Sequence, residues 1–451
     1  MSNTMAFNKS LPTMANSWCH PKKSNMKIVL FVCAVMTLCI PTLNAQNQTA
    51  IVCGRLLSGN DSEVKTNAVI IVEGEKIVEI GTQSDIKPEQ TIIDLSDYTV
   101  LPGLIDAHVH PLIYGDDYQT NHLKGSSAFN ALRGLKTVQN WLAEGWTTIR
   151  IAGDADTQYA HFEIRDAINN GLFDGPRIYG AGHYLSVTGG GGDINFLSPE
   201  QKIIADGLIV DGPDEIRKAV RNEIKYGSDW IKILVTGAFM SVGDNPQNVH
   251  FSDAEISMAV EEAKRRGVPV MAHAHATEGI NKAIKLGVRS IEHGTFLNDE
   301  SIALFLKYDV YLIPTLSIGE YGLETWENSE AQAKNIALTK KFRAASKAML
   351  QEAIKRGVKI GVGSDNVGFP PYFAEREFEE LVKLGMSPMQ AIQAGTKVNA
   401  ALLMKEKEIG TIEVGKFADI IATKLNPLDD ISELARVKFV MKGGKVIKAI
   451  E

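Results

Sequence analysis

LPGLIDAHVH, residues 101–110, sets how the rest of the chain is read. Pro102 and Gly103 interrupt what precedes them, and the run from Gly103 to His110 then has the apolar texture of a buried strand. Alternate side chains of a strand share a face, so His108 and His110 point the same way and both imidazoles can reach one metal ion. A lone His-x-His serves core packing equally well, so the decision rests on what recurs downstream.

Outward from this stretch, seven further strand candidates follow: Thr148–Gly153, Arg177–Ala181, Trp230–Val235, Val268–His273, Ser290–His293, Val310–Pro314 and Lys359–Asp365. Amphipathic helical stretches such as Asp253–Arg266 and Glu330–Arg356 lie between them. Strands alternating with helices pair in parallel, and eight in about 300 residues is the count of an α/β (β/α)8 TIM barrel. An open doubly wound sheet has the same pattern, but no GxGxxG or Walker-type loop supports it. On either side, Ala50–Leu57, Ala68–Val72, Lys76–Gly81 and Thr91–Asp94, then Ala418–Thr423, Val437–Met441 and Lys445–Ala449, read as short β-strands broken by turns. The expected plan is a small β-sandwich domain made of both chain ends, residues 46–102 and 409–451, around a barrel at 103–408.

Residues 1–45 read as a secretory signal, with Met26 the better start. Lys22, Lys23 and Lys27 precede an apolar run, Ile28–Ile40, and Ala45 offers a small residue for cleavage. The run falls short of the roughly 20 residues that span a bilayer, so no permanent membrane span is expected. Export points to a secreted protein, in a bacterium a periplasmic one. Cleavage takes four lysines and no acid from the formal charge of −7, leaving −11. An acidic chain without a basic stripe argues against nucleic acid as partner and leaves a small molecule or short peptide. Three of the four cysteines lie in the signal, so Cys53 alone remains and no disulfide forms within the processed chain.

Barrel enzymes place their chemistry at the C-terminal ends of strands. His273, His293 and Asp365 all fall at such ends. Lys232 lies inside the fourth strand, between Ile231 and Ile233, where a buried ammonium is costly unless it is paired, neutralised or chemically altered.

With these residues in place, the chain resembles the amidohydrolase superfamily. The likeness is to the branch related to imidazolonepropionase that includes Xaa-Pro and other prolidase-like dipeptidases. LPGLIDAHVH (101–110), the Ile231-Lys232-Ile233 strand, MAHAH (271–275), SIEHG (290–294), GSD (363–365), MSPMQAI (386–392) and GTIEVGKFAD (410–419) carry it, in that order. The resemblance implies two divalent metal ions, zinc first, with His108 and His110 on one and His273 and His293 on the other. It implies that Lys232, carboxylated on its amine, bridges them, and that Asp365 completes the first metal. The implied reaction is hydrolysis of a C–N amide bond of small peptides, dipeptides or N-acyl amino acids. A hydroxide held between the metals attacks, and Asp365 passes its proton to the leaving nitrogen. A homo-oligomer is compatible with the resemblance.

The chain departs from that pattern in two loops. Gly191, in VTGGGGD (187–193), stands where such relatives commonly have His, which leaves His183 as a candidate substrate contact. After Asp365, Phe369-Pro-Pro-Tyr372 brings Tyr372 forward as a second candidate, and His275, two residues beyond His273, is a third. His122, His161 and His250 match no motif and read as surface or loop residues, and Glu375–Glu380 reads as a solvated acidic face. Two rival readings stay open. One is a one-metal deaminase, or a cyclic amide, imidazolone or lactone hydrolase, of the same superfamily, whose pattern has a Glu acid after the fifth strand and no bridging Lys; here Lys232 is present, and Glu278, five residues after His273, is not at the usual spacing. The other is a periplasmic barrel that binds a small solute without catalysis.

Overall fold

The computed structural model describes residues 48–450 except 116, 157, 326–332 and 368–372. The signal read at residues 1–45 and the candidate contact Tyr372 therefore lie outside the described residues.

Both chain ends contribute to one sheet. Thr49–Leu57, Val64–Thr66, Ala68–Glu73, Lys76–Thr82 and Thr91–Pro102 join Ile420–Thr423, Phe439–Lys442 and Lys445–Lys448 in an eight-stranded array. Thr91–Pro102 is the seam, parallel to Thr49–Leu57 and antiparallel to Ile420–Thr423. The expectation of a separate β-sandwich meets a continuous sheet instead, and residues 46–451 form one compact unit in which it is not set apart. Its core holds Ile51, Leu56, Ile70, Leu95 and Phe439. Cys53 is fully buried among them, and burial pushes its thiol up to about 12.

The middle of the chain is α/β. One parallel sheet runs, in spatial order, Leu208–Ile209, Tyr184–Ser186, Ile231–Leu234, Val270–Ala274, Ser290–His293, Tyr311–Ile313, Lys359–Ile360. A second runs Asn366–Val367, Leu104–His110, Trp146–Ala152, Arg177–Ala181. Backbone hydrogen bonds run between the two at two places: Trp230 N, just before Ile231–Leu234, to Gly180 O at 3.1 Å, and Ala107 N to Val362 O, just after Lys359–Ile360, at 3.0 Å. Every residue of Leu104–His110 and Trp146–Ala152 is buried, as a parallel strand covered on both faces requires. The strands expected at 310–314 and 359–365 are shorter than anticipated. At 361–363 a Gly-Val-Gly segment replaces regular pairing, because a Cβ on Gly363 would stand 2.3 Å from Ile313 Cγ2 and 2.8 Å from His108 Cβ. That close approach brings the chain after residue 360 against His108.

Helices connect the strands, among them Asp253–Lys264, Thr277–Leu286, Leu316–Thr325 and Ala333–Lys355. Among the described residues none is long and apolar enough to cross a membrane. Register aligns the strand ends: Leu234 lies opposite His273, and Ala274 opposite His293. Side chains far apart in sequence thus emerge at one level.

Candidate metal centre

His108 is fully buried and its Nδ1 donates to Glu292 Oε2 at 2.7 Å. Glu292 is itself held by Arg150, whose Nη2 lies 2.9 and 2.8 Å from its two oxygens, and by Ser290 Oγ. Arg150 in turn donates through Nε to Ala107 O and stacks over Trp230, 4.6 Å from the ring centroid. His110 Nδ1 donates to Gly153 O at 2.5 Å. Both protons are therefore committed on the Nδ1 side, and both Nε2 atoms present lone pairs. These lone pairs stand 3.2 Å apart, with Asp365 Oδ1 3.2 Å from His110 Nε2 and 3.5 Å from His108 Nε2. Three electron-rich atoms converging without a proton between them repel one another. A cation at their centre removes the conflict, and imidazole nitrogens with a carboxylate oxygen suit zinc or another first-row metal.

A second group joins it. His273, His275 and His293 each offer a ligand atom within 4.8 Å of the others, and His293 also belongs to a group with His108 and Asp365. His293 Nδ1 bonds Thr315 Oγ1 and His275 Nδ1 bonds Thr295 Oγ1, both at 2.7 Å. Burial holds His108, His273 and His293 well below the usual imidazole range, and His275 at about 3, so all four are neutral and able to ligate. Lys232 is buried beside both groups, and among the described residues no hydrogen bond or ion pair reaches its Nζ. Burial lowers its amine to about 8, against the pull of Glu292 and Asp365. An amine near neutrality is a nucleophile toward carbon dioxide, as a carbamate requires.

The backbone is strained where it presents these groups. His293, Thr315 and Asp365 have φ of 73°, 49° and 54°, a left-handed conformation disfavoured for residues with a Cβ. Asp106 holds the last turn in place. It accepts from His108 N at 3.0 Å, Ser364 N at 3.1 Å and Ser364 Oγ at 2.5 Å, tying the first strand to the segment that delivers Asp365.

The cluster lines a cavity that also takes in Tyr118, Tyr184, Gly191, Phe239 and Met240. The glycine loop is built rather than free: Gly192 N donates to Ser186 Oγ, and Gly191 O accepts from Ser241 Oγ. A Cβ at Gly190 would meet Ser186 Oγ at 2.7 Å.

Of the sequence candidates, His108, His110, Lys232, His273, His293 and Asp365 come together, and His275 joins them as part of an imidazole group. His183 does not line the cavity. Its ring nitrogens are engaged by Glu223 Oε1 at 3.0 Å and Asp156 O at 2.7 Å, which corrects its reading as a substrate contact. Burial alone would lower its pKa, but these partners outweigh burial and raise it. Glu278 points to solvent and pairs with Lys282 at 2.9 Å, so it is not placed as the acid a deaminase needs. His161 and His250 are largely buried rather than on the surface, the latter 3.2 Å from Asp244. The helix around Glu375–Glu380 is not simply solvated either. Glu377 is buried and accepts the N–H groups of Leu316 and Ser317 at 3.0 and 2.8 Å, holding the start of the Leu316–Thr325 helix. Sequence reasoning missed Arg150 and Glu292, although Arg150 carries the same signal as Lys232, a cation between two isoleucines.

Known proteins resemble this chain over most of its length. The amidohydrolase family profile matches residues 99–447. Ochratoxinase of Aspergillus niger is 33% identical over 441 residues, covering 91% of this chain and 89% of the relative. A crystal structure of a Xaa-Pro dipeptidase with methionine bound in its active site superposes with a TM-score of 0.82 at 36% identity, covering 89% of this chain and 99% of that one. A prolidase complexed with N-methylphosphonate-L-proline gives a TM-score of 0.83 at 29% identity, covering 89% of this chain and all of that one. The chain belongs to the amidohydrolase family, in its prolidase-like branch, and is a metal-dependent hydrolase of carbon–nitrogen amide bonds.

Proposed function

We propose that the protein cleaves dipeptides or N-acyl amino acids at a two-metal centre, in a (β/α)8 barrel spanning residues 103–408 with a β domain from residues 46–102 and 409–451. The hydrogen bonds between the two parallel sheets support closure of the barrel. The observation that carries the site is the convergence of His108 Nε2, His110 Nε2 and Asp365 Oδ1, with both imidazole tautomers fixed from behind.

His108, His110 and Asp365 would hold one metal and His273 and His293 the other, with Lys232 between them as a carbamate and His275 alongside. Bound zinc would acidify an attacking water and polarise the amide carbonyl. Asp365 is the one cluster member with an anionic oxygen and partial access to the cavity. It takes the proton of the attacking water and delivers it to the departing nitrogen. Glu292, anchored by Arg150, keeps His108 Nδ1 protonated so that Nε2 faces inward. Thr315 Oγ1 and Thr295 Oγ1 orient the rings of His293 and His275 through their Nδ1 atoms.

Elemental analysis of the purified protein, alongside hydrolysis of a dipeptide and N-acyl amino acid panel, tests this reading. We expect two zinc per chain and turnover of part of the panel. One metal or none, or retention of both in Lys232→Ala, would remove the bridging role of Lys232.

A further inference from the structure

We propose that the substrate carries a large apolar group on one side of its amide bond, seated between the Leu316–Thr325 and Ala333–Lys355 helices. This rests on the amide-hydrolase reading and specifies its substrate.

The cavity does not end at the imidazoles. It continues along one stripe of the long helix, through Ile336, Thr339, Arg343, Ser346, Lys347 and Leu350. These positions recur at helical three- and four-residue spacing, so they share a face. From Ile336 to Leu350 the helix rises about 21 Å at 1.5 Å per residue. A fully extended dipeptide covers about 7 Å. The lining face of the helix is thus longer than a dipeptide, and the Glu320 pairs with Arg343 and Lys347 cross between the two helices within it.

Part of the wall is apolar. Phe342 stands edge-on to Phe296 at 4.8 Å, and Phe296 N bonds His275 O, which ties this wall to the loop after the ligand His293. Leu316 and Ile318 face it from the shorter helix. At Gly319 the two helices come near one another, and an added Cβ would make ordinary contact with Thr339 Cγ2, at 4.0 Å. The charges along the stripe are already neutralised. Glu320 is held by Arg343 and, at 3.0 Å, by Lys347, which also reaches Glu380 at 2.7 Å. Among the described lining residues Glu320 and Asp365 are the carboxylates, so a dipeptide's free ammonium finds no unengaged acid along this wall. An uncharged alkyl or aryl group loses nothing there and gains from burial.

The test is kcat/KM of the zinc-loaded protein on N-acetyl-, N-butanoyl-, N-hexanoyl- and N-octanoyl-L-phenylalanine, with Gly-L-Phe as the dipeptide. Full burial of a methylene is worth about fourfold. We expect the octanoyl compound to exceed the acetyl one by about a hundredfold or more. Ile336→Glu should cut that ratio about tenfold. Thr339→Phe, which fills the gap, should move the optimum to shorter chains, a shift that misfolding does not produce. A flat profile, or Gly-L-Phe as the best substrate, overturns the apolar seat while leaving amide hydrolysis in place. Turnover of none of these amides by the zinc-loaded protein overturns both readings.

Discussion

The strand side and the helix side enclose the same cavity and are stabilised by different means. On the strand side each reactive atom is aimed by a directional bond: His108 by Glu292, His110 by Gly153 O, His293 by Thr315. On the helix side Ile336, Phe342 and Leu350 are held by packing, and their contribution scales with area. Directional bonds fix chemistry to within tenths of an ångström, whereas area discriminates only by size. Substitutions on the two sides should therefore fail differently, the first in metal content or turnover and the second in selectivity.

The sharpest way to break that contrast is Asp365→Asn. We expect turnover to fall by about 10³ while metal content is retained, because proton transfer is lost and an amide oxygen can still face the metal. Metal analysis beside kcat separates the two, and full activity with both metals would remove Asp365 as the proton carrier. Next in size is Glu292→Gln. Its amide can donate to His108 Nδ1 and so admit the opposite tautomer. A weakening of metal affinity by about 10- to 100-fold is expected, read by competition with a chelator. Unchanged affinity would mean that the Arg150–Glu292 pair serves the core alone.

The third effect is one of pH, on the helix side, and is read in stability rather than in turnover. Burial outweighs the two N–H bonds to Glu377 and raises its pKa from 4.5 to about 8. The folded chain then keeps a proton that the unfolded chain releases near pH 4.5. This contribution to stability is present below pH 4.5 and is lost as pH rises to 8. Thermal melting between pH 5 and 9 should show that loss, and Glu377→Gln should flatten it.

The candidate metal cluster was legible because it is written locally. A His-x-His at a strand end, and a Lys between two isoleucines, are odd enough in an apolar strand to demand a partner. Arg150, in Thr148–Ala152, meets the same criterion, and the partner it demands is Glu292, one residue before the candidate ligand His293. What was not legible depends on how elements are oriented. Nothing in the sequence of residues 316–350 says that two helices part to leave a channel, or that Glu377 turns inward. His183 was misread for the same reason, since only the fold brings Glu223 and Asp156 to its ring. The β-sandwich expectation is not confirmed: strand content cannot distinguish two stacked sheets from one, and Thr91–Pro102 pairs with strands of both chain ends in one hydrogen-bonded sheet.

The buried thiol of Cys53 has a practical consequence. In a chain begun at residue 46 it is the only sulfhydryl, and it is sealed in the sheet core with a pKa of about 12. Thiol reagents at neutral pH should pass it by. A cysteine introduced at the rim of the helical channel would then be a single addressable handle, where a fluorophore or spin label could report a ligand entering between the helices without any native residue competing for the label.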